Sequence, residues 1–271
     1  MQIKEKEVVK VDQTFQGKTA VVLASSQGLG KAIAAKLAAG GANVMLASRN
    51  SSKLEEVKQE LERENQGRVD YTACDITNLE DIKAVVHNTV EKFGAIHILI
   101  NNAGGPPAGS FEDMSDEQWQ QAFELNLLSY IRSIREALPH LKKQGGKIIN
   151  IASSSIKEPI SGLILSNTFR TGIVGLSKTL AEEFARYGIL VNTVAPGRIA
   201  TDRLKYLDKI NAEKQGISME QLDEQIKKRI PLGRYGQPEE FANVVAFLAS
   251  DANTYMTGSS FLVDGGMIRS I

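Results

Sequence analysis

The sequence predicts an α/β fold, a Rossmann-type doubly wound parallel sheet of seven strands in a single domain. Three observations carry that reading. Short apolar runs rich in β-branched residues alternate with longer amphipathic segments along nearly the whole chain. Most of the runs are continuously apolar, as strands covered on both faces must be. The first run passes through a glycine-rich turn straight into a helical pattern. Strict alternation of the two element types means parallel strands joined by right-handed crossovers.

Taken in order, the strands are expected at 19–24 (TAVVLA), 43–48, 68–73, 96–101, 147–152, 190–195 and 259–264. A first helix is expected from near Lys31. A second opens with a serine cap at Ser51 or Ser52 and closes before Gly67. Long helices follow over roughly 115–143 and 162–187. Residues 1–16 read as a charged N-terminal arm, and 17–271 as a dinucleotide-binding catalytic domain. Residues 201–237 form a long, charged, helical insertion after a strand's C-terminal end, where lids over α/β sites occur. The alternative for that insertion is a solvated pair of surface helices.

A chain of 271 residues can bury a full core without disulfides or metal. Its 32 basic and 32 acidic residues cancel, which argues against nucleic acid or an anionic membrane as a partner. The one cysteine, Cys74, allows no intrachain disulfide and reads as core filler. The N-terminus lacks the apolar core of a secretory signal, and no apolar run reaches the ~18 residues of a membrane span. A soluble cytoplasmic protein acting on a small molecule is the expectation. No two of the three histidines have metal-ligand spacing, so no metal is expected.

The turn after the first strand, ASSQGLG, carries Gly28 and Gly30. They let backbone approach a phosphate, and the following helix N-terminus supplies amide donors and positive dipole. The end of the second strand selects between cofactors. An acidic residue there would bind the ribose 2′-hydroxyl of NAD, but this chain has Ser48, Arg49 and Asn50. A guanidinium pairs with a phosphate dianion through its planar fork, so the expected cofactor is NADP(H).

Further motifs follow in order: CDIT with Asp75, NNAG at 101–104, Asn126 in FELNLLS, Ser153 after KIINIA, APG at 195–197 followed by Thr201, and DGG at 264–266. Together they resemble the short-chain dehydrogenase/reductase family over nearly all of residues 17–267. The resemblance implies cofactor contacts from Ser25, Ser26, Gln27, Gly28, Leu29 and Gly30 in the first turn, and from Ser48, Arg49 and Asn50. It implies others from Asp75 and Ile76 at the adenine, and from Asn102, Ala103, Gly104 and Ile151 at the ends of the central strands. Pro196, Gly197, Ile199 and Thr201 would serve the nicotinamide side. Asn126 and Ser153 match the family's catalytic Asn and Ser.

Three features depart from the family pattern. Ala24 replaces the first glycine of the motif, and His97, read as structural, stands where an Asp is usual. The third departure touches the chemistry. The family places a catalytic Tyr 13 residues after its Ser and a Lys four residues later; from Ser153 those positions are Ser166 and Arg170. Both would share one helix face. An aliphatic hydroxyl is a poor direct general acid, and a guanidinium binds but does not relay protons. Arg170 is therefore expected to keep a cofactor-binding role, and Ser166 to act through a water. No tyrosine has the motif spacing; Tyr130, one helical turn after Asn126, is the least implausible substitute.

Three functions stay open. One is NADPH-dependent hydride transfer to a carbonyl or an α,β-unsaturated carbonyl, with Lys157, Arg170 and Arg198 hinting at an anionic substrate. Another is a ketoreductase of the 3-oxoacyl-[acyl-carrier-protein] type. The third is an NADP(H)-binding sensor or scaffold with little turnover. The resemblance also implies a homotetramer, or a dimer, paired through the two long helices.

Overall fold

The structure, a computed structural model, describes residues 15–64 and 67–270. The expected N-terminal arm lies almost wholly outside those residues. Phe15, at its end, is buried in the core and its amide donates to the Gly40 carbonyl at 2.6 Å.

Seven parallel strands form one sheet in the order β3-β2-β1-β4-β5-β6-β7. They are β1 (Thr19–Leu23), β2 (Asn43–Ser48), β3 (Val69–Ala73), β4 (Ile98–Asn101), β5 (Gly146–Ile151), β6 (Ile189–Pro196) and β7 (Ser260–Val263). The helices between them are α1 (Gly28–Ala39), α2 (Ser51–Glu64), α3 (Leu79–Phe93), α4 (Asp116–Phe123), α5 (Ser129–Leu141), α6 (Ile164–Ala185), α7 (Asp202–Gln215), α8 (Met219–Arg229) and α9 (Pro238–Ala249). A π-helical turn, Glu124–Leu128, joins α4 to α5, and a short 3-10 turn, Ser154–Ile156, follows β5.

Alternation along the strands builds two cores. Ala20 and Val22 of β1 face the layer of α1, α2 and α9, while Val21 and Leu23 face that of α3, α5 and α6. Chain order reverses between β1 and β4, the switch point at which doubly wound sheets leave a crevice beyond the strands' C-terminal ends. In such sheets that crevice is the ligand site.

Local details differ from expectation in two places. Helix α1 begins at Gly28 rather than near Lys31, because Gln27 is already extended and Gly28 takes the left-handed turn (φ +57) itself. Helix α2 is capped by Asn50, whose side-chain oxygen accepts from the Lys53 amide at 3.0 Å, not by Ser51 or Ser52. Asn is as good a cap as Ser, and the helix starts one residue earlier for it.

Residues 201–237 contain α7 and α8, and these carry a small core of their own: Ala212, Leu222, Ile226 and Ile230, with Ile217, Tyr235 and Met267 packed against it. No helix among the described residues is long and apolar enough to cross a membrane. Cys74 is buried, and burial, with the charges of Asp81 and Asp75, pushes its thiol up to about 12.

Candidate active site

At the adenosine end the first turn is shaped by close backbone approach. A Cβ on Gly30 would lie 2.2 Å from the Ala24 carbonyl oxygen, so helix and strand meet there only with glycine. Ala24 itself sits at φ +49, the left-handed region that the family's glycine would occupy without strain. The Asn102 side chain donates to the Ala24 carbonyl at 3.3 Å and holds the turn against the end of β4. Ser25 is buried, and its hydroxyl accepts from the Ala47 amide at 2.9 Å, so it fixes the turn to β2. Ser26 and Gln27 lead into α1, and Leu29 packs on the core beneath.

The end of β2 keeps its polar groups unspent. The Ser48 hydroxyl oxygen is buried without a hydrogen-bond partner. Arg49 is exposed and forms no ion pair among the described residues. Its charge reaches Asp75: burial works to raise that carboxyl, but two hydrogen bonds from Thr77 and the Arg49 charge outweigh it and hold it below its ordinary value. Ile76 is buried beside it. Lys53, which sequence reading passed over, extends from the first turn of α2 to Gln27 Oε1 at 3.3 Å. Its spacing four residues after Arg49 is the signal that would have found it.

The two halves of the crevice meet at Gly28, where a Cβ would lie 3.7 Å from the Thr201 methyl. Thr201 caps α7, its hydroxyl accepting from the Leu204 amide at 3.3 Å. Pro196 ends β6; a Cβ on Gly197 would lie 2.5 Å from Asp264 Cβ, and the buried Ile199 pairs with Gly236. A nicotinamide dinucleotide fits this donor set: a bare glycine cradle, a free helix N-terminus, an unpaired Arg49 and an orphaned Ser48 hydroxyl.

At the other end the cation is spent largely on the protein itself. Ser166 and Arg170 share the buried face of α6, 9% and 4% exposed. Arg170 Nη1 donates to the Tyr130 hydroxyl at 2.9 Å and the Ile151 carbonyl at 2.8 Å. Its Nη2 donates to the carbonyls of Ala103 at 3.1 Å and Gly104 at 3.4 Å. Four of its five N–H groups are thus used, which leaves only Nε–H for a cofactor ribose. The role expected of Arg170 narrows accordingly, because a planar fork reaches acceptors on a helix, a strand end and a loop that a single ammonium would not.

Tyr130 fails as a substitute acid. It is fully buried and donates to the Ile151 carbonyl at 2.8 Å, and burial raises its phenol against the opposing charge of Arg170. Asn126 lies in the π-helical turn, its Nδ2 donating to the Gly104 carbonyl at 2.8 Å and its Oδ1 buried without a partner. Ser153, half-buried just beyond β5, accepts from the Ser155 amide at 3.2 Å through its hydroxyl oxygen. Its own proton is left for a ligand. The Ser166 hydroxyl makes no side-chain hydrogen bond among the described residues.

Of the cations expected to meet an anionic substrate, Arg198 is paired with the buried Asp208 of α7, which also accepts from the Tyr235 hydroxyl at 3.4 Å. Burial and that carboxylate push the Tyr235 phenol up to about 12. Arg198 therefore ties the loop after β6 to α7 rather than facing a ligand. Lys157 is exposed. Arg203, missed in the sequence, lies at the mouth of the crevice and donates to the Pro106 carbonyl at 2.9 Å. No group of metal-ligating side chains occurs among the described residues.

Comparison with known proteins agrees with this architecture. A family model described as Enoyl-(Acyl carrier protein) reductase matches residues 23–268. The "Dehydrogenase/reductase SDR family member 4" of Caenorhabditis elegans is 36% identical over 258 residues, 93% of this chain and 96% of that one. The 3-oxoacyl-[acyl-carrier-protein] reductase FabG of Vibrio cholerae is 37% identical over 254 residues, 93% of this chain and 98% of its own. L-sorbose reductase of Gluconobacter frateurii, solved with NADPH and L-sorbose, superposes with a TM-score of 0.91 at 33% identity, covering 96% of this chain and all of that one. The chain belongs to the short-chain dehydrogenase/reductase family.

Proposed function

We propose, with this family membership as premise, that the protein is an NADPH-dependent oxidoreductase reducing a carbonyl or α,β-unsaturated carbonyl small molecule. The observation that carries the reading is the pairing of an unspent phosphate corner, Arg49 with Ser48, and a Ser153 hydroxyl free to donate. Bound NADPH would supply the hydride. The chain's own residues then have three tasks. Arg49 and the start of α1 hold the phosphates. Ser153 donates to the substrate oxygen as negative charge develops there. Arg170, spent on main-chain carbonyls, holds the ends of β4 and β5 in place.

No side chain here is a tuned acid. With Ser166 and Arg170 standing, by the family's spacing, where Tyr and Lys are expected, the final proton comes from water. In ketone reduction, hydride adds to the carbonyl carbon, the C=O electron pair moves to oxygen, and water protonates the alkoxide to give the alcohol. In conjugate reduction, hydride adds to the β-carbon and the electrons move to oxygen as an enolate held by Ser153; solvent then protonates the α-carbon, giving the saturated carbonyl. The second route asks less of the protein and is the one this site suits better.

The test is NADPH oxidation against ketones, β-ketoacyl thioesters, enones and unsaturated keto acids. Turnover on an enone or unsaturated keto acid, reduced about 100-fold or more in Ser153→Ala, is the expected result. Preference for β-ketoacyl thioesters would favour the 3-oxoacyl-[acyl-carrier-protein] reductase reading, which the relative from Vibrio cholerae supports. Tight NADPH binding without turnover would favour a sensor or scaffold, and tighter binding of NADH would refute the cofactor. The apolar faces of α5 and α6 suit pairing into a homotetramer or dimer; a monomer in sedimentation would overturn that. A cytoplasmic setting goes with the buried, inert thiol of Cys74.

A further inference from the structure

We infer that Tyr130 is a positioning residue of this site, acting through Arg170 to set the placement of Ser153 against the nicotinamide. The inference rests on the reading above and deepens it. Tyr130 and Asn126 lie one turn apart, where the π-helical turn runs into α5, and each addresses one of two adjacent strand ends, Tyr130 that of β5 and Asn126 that of β4. The Tyr130 hydroxyl donates to the Ile151 carbonyl at 2.8 Å and accepts from Arg170 Nη1 at 2.9 Å. Arg170 Nη1 donates to that same Ile151 carbonyl, and Nη2 to Ala103 and Gly104. Asn126 Nδ2 completes the set at Gly104.

One hydroxyl thus closes a ring between the end of β5 and the guanidinium that also grips the end of β4. Ser153 stands two residues beyond Ile151, so its position follows the Ile151 carbonyl. Among the described residues no carboxylate is bonded to Arg170. Its orientation is therefore set mainly by hydrogen-bond direction, and each acceptor counts for more than it would beside an opposite charge. The phenol is sealed from solvent, so its contribution is geometric and not that of an acid. An i, i+4 phenol and cation on one helix is thereby replaced by a phenol and cation on two helices, 40 residues apart.

Tyr130→Phe keeps the ring and removes only the hydroxyl. The expected result is a fall in kcat of about tenfold, the size of one hydrogen bond to a charged group, with KM for NADPH changed less than about twofold. In an Arg170→Lys background the same change should cost nothing further, because the ammonium cannot span the acceptors that the hydroxyl helped to align. Additive losses, or a Tyr130→Phe enzyme with unaltered kcat and a lowered Tm only, would overturn the inference and leave a packing role. Emission of bound NADPH gives a readout independent of turnover. If wild type binds NADPH but reduces none of the substrates, an emission spectrum shifted by Tyr130→Phe supports the inference and an identical one sinks it. If wild type does not bind NADPH, the underlying functional reading fails instead, and the inference with it.

Discussion

The two ends of the crevice differ in what their polar groups are doing. At the adenosine corner Arg49 has no ion-pair partner among the described residues and the Ser48 hydroxyl is buried without one. At the nicotinamide end Arg170 has committed four donors, and Tyr130 both its proton and a lone pair, to the protein itself. A site waiting for a ligand carries unsatisfied groups, since their desolvation cost is recovered only on binding. A site whose cation has most of its donors bonded contributes stability before any ligand arrives. Two arginines on the same crevice therefore have opposite jobs, and charge alone does not tell them apart.

The comparison breaks most sharply if the two arginines are removed in turn. Arg170→Met should lower unfolding free energy by about 3 kcal/mol or more, because three main-chain carbonyls and a phenol each lose one donor inside the protein, although Ile151 keeps that of Tyr130 and Gly104 that of Asn126. Urea denaturation without cofactor measures it, and a loss below about 1 kcal/mol would mean that water replaces the guanidinium easily. Arg49→Ala should leave the unfolding free energy within about 0.5 kcal/mol of wild type, as removal of an exposed side chain with no ion pair among the described residues does. Its effect should fall on NADPH, with affinity weakened by about tenfold to 100-fold and that for NADH unchanged. An Arg49 variant that lost stability and kept its affinity would reverse the assignment of the two ends.

How much of this was legible in the sequence follows the range of each interaction. The strands and the glycine turn are local: apolar runs mark β1 to β7, and Gly30 stands where a Cβ would lie 2.2 Å from the Ala24 carbonyl oxygen. The open corner was legible too, since Ser48–Arg49–Asn50 follows directly on a strand. The closed end was not. Tyr130 and Arg170 are 40 residues apart, and nothing in either neighbourhood announces the other. Arg198 looked like a free cation because Asp208, ten residues on, faces it only when α7 folds back. Even Asn126, found by resemblance, sits in a π-helical turn that sequence periodicity does not reveal. Tyr130, Arg170 and Asp208 are joined to their partners by contacts that only the packed sheet creates.

His97 tests the contrast at a third place, the opposite end of the sheet, and with the smallest expected effect. Its Nδ1 accepts from the Thr19 amide at 2.9 Å, and its own amide donates back to the Thr19 carbonyl at 2.9 Å, so β1 and β4 start in register. Like Arg170 it is bonded within the protein, but in a form that one proton destroys. Burial, then the charge of Lys18, lowers its pKa, against a weaker upward pull from Asp251. The unfolded chain therefore binds this proton more readily than the folded one, and stability rises with pH between the two pKa values. The contribution is fully present above the ordinary histidine value of about 6.5 and drains away as pH falls from there toward the lowered one. His97→Asn should flatten the dependence of the urea midpoint on pH between about 7 and 5 relative to wild type. If the two curves run parallel, burial and the Lys18 charge are not keeping the imidazole neutral, and a bonded group in this fold can exchange its protein partner for solvent at little cost. That outcome would weaken the case for a fixed Arg170 as well.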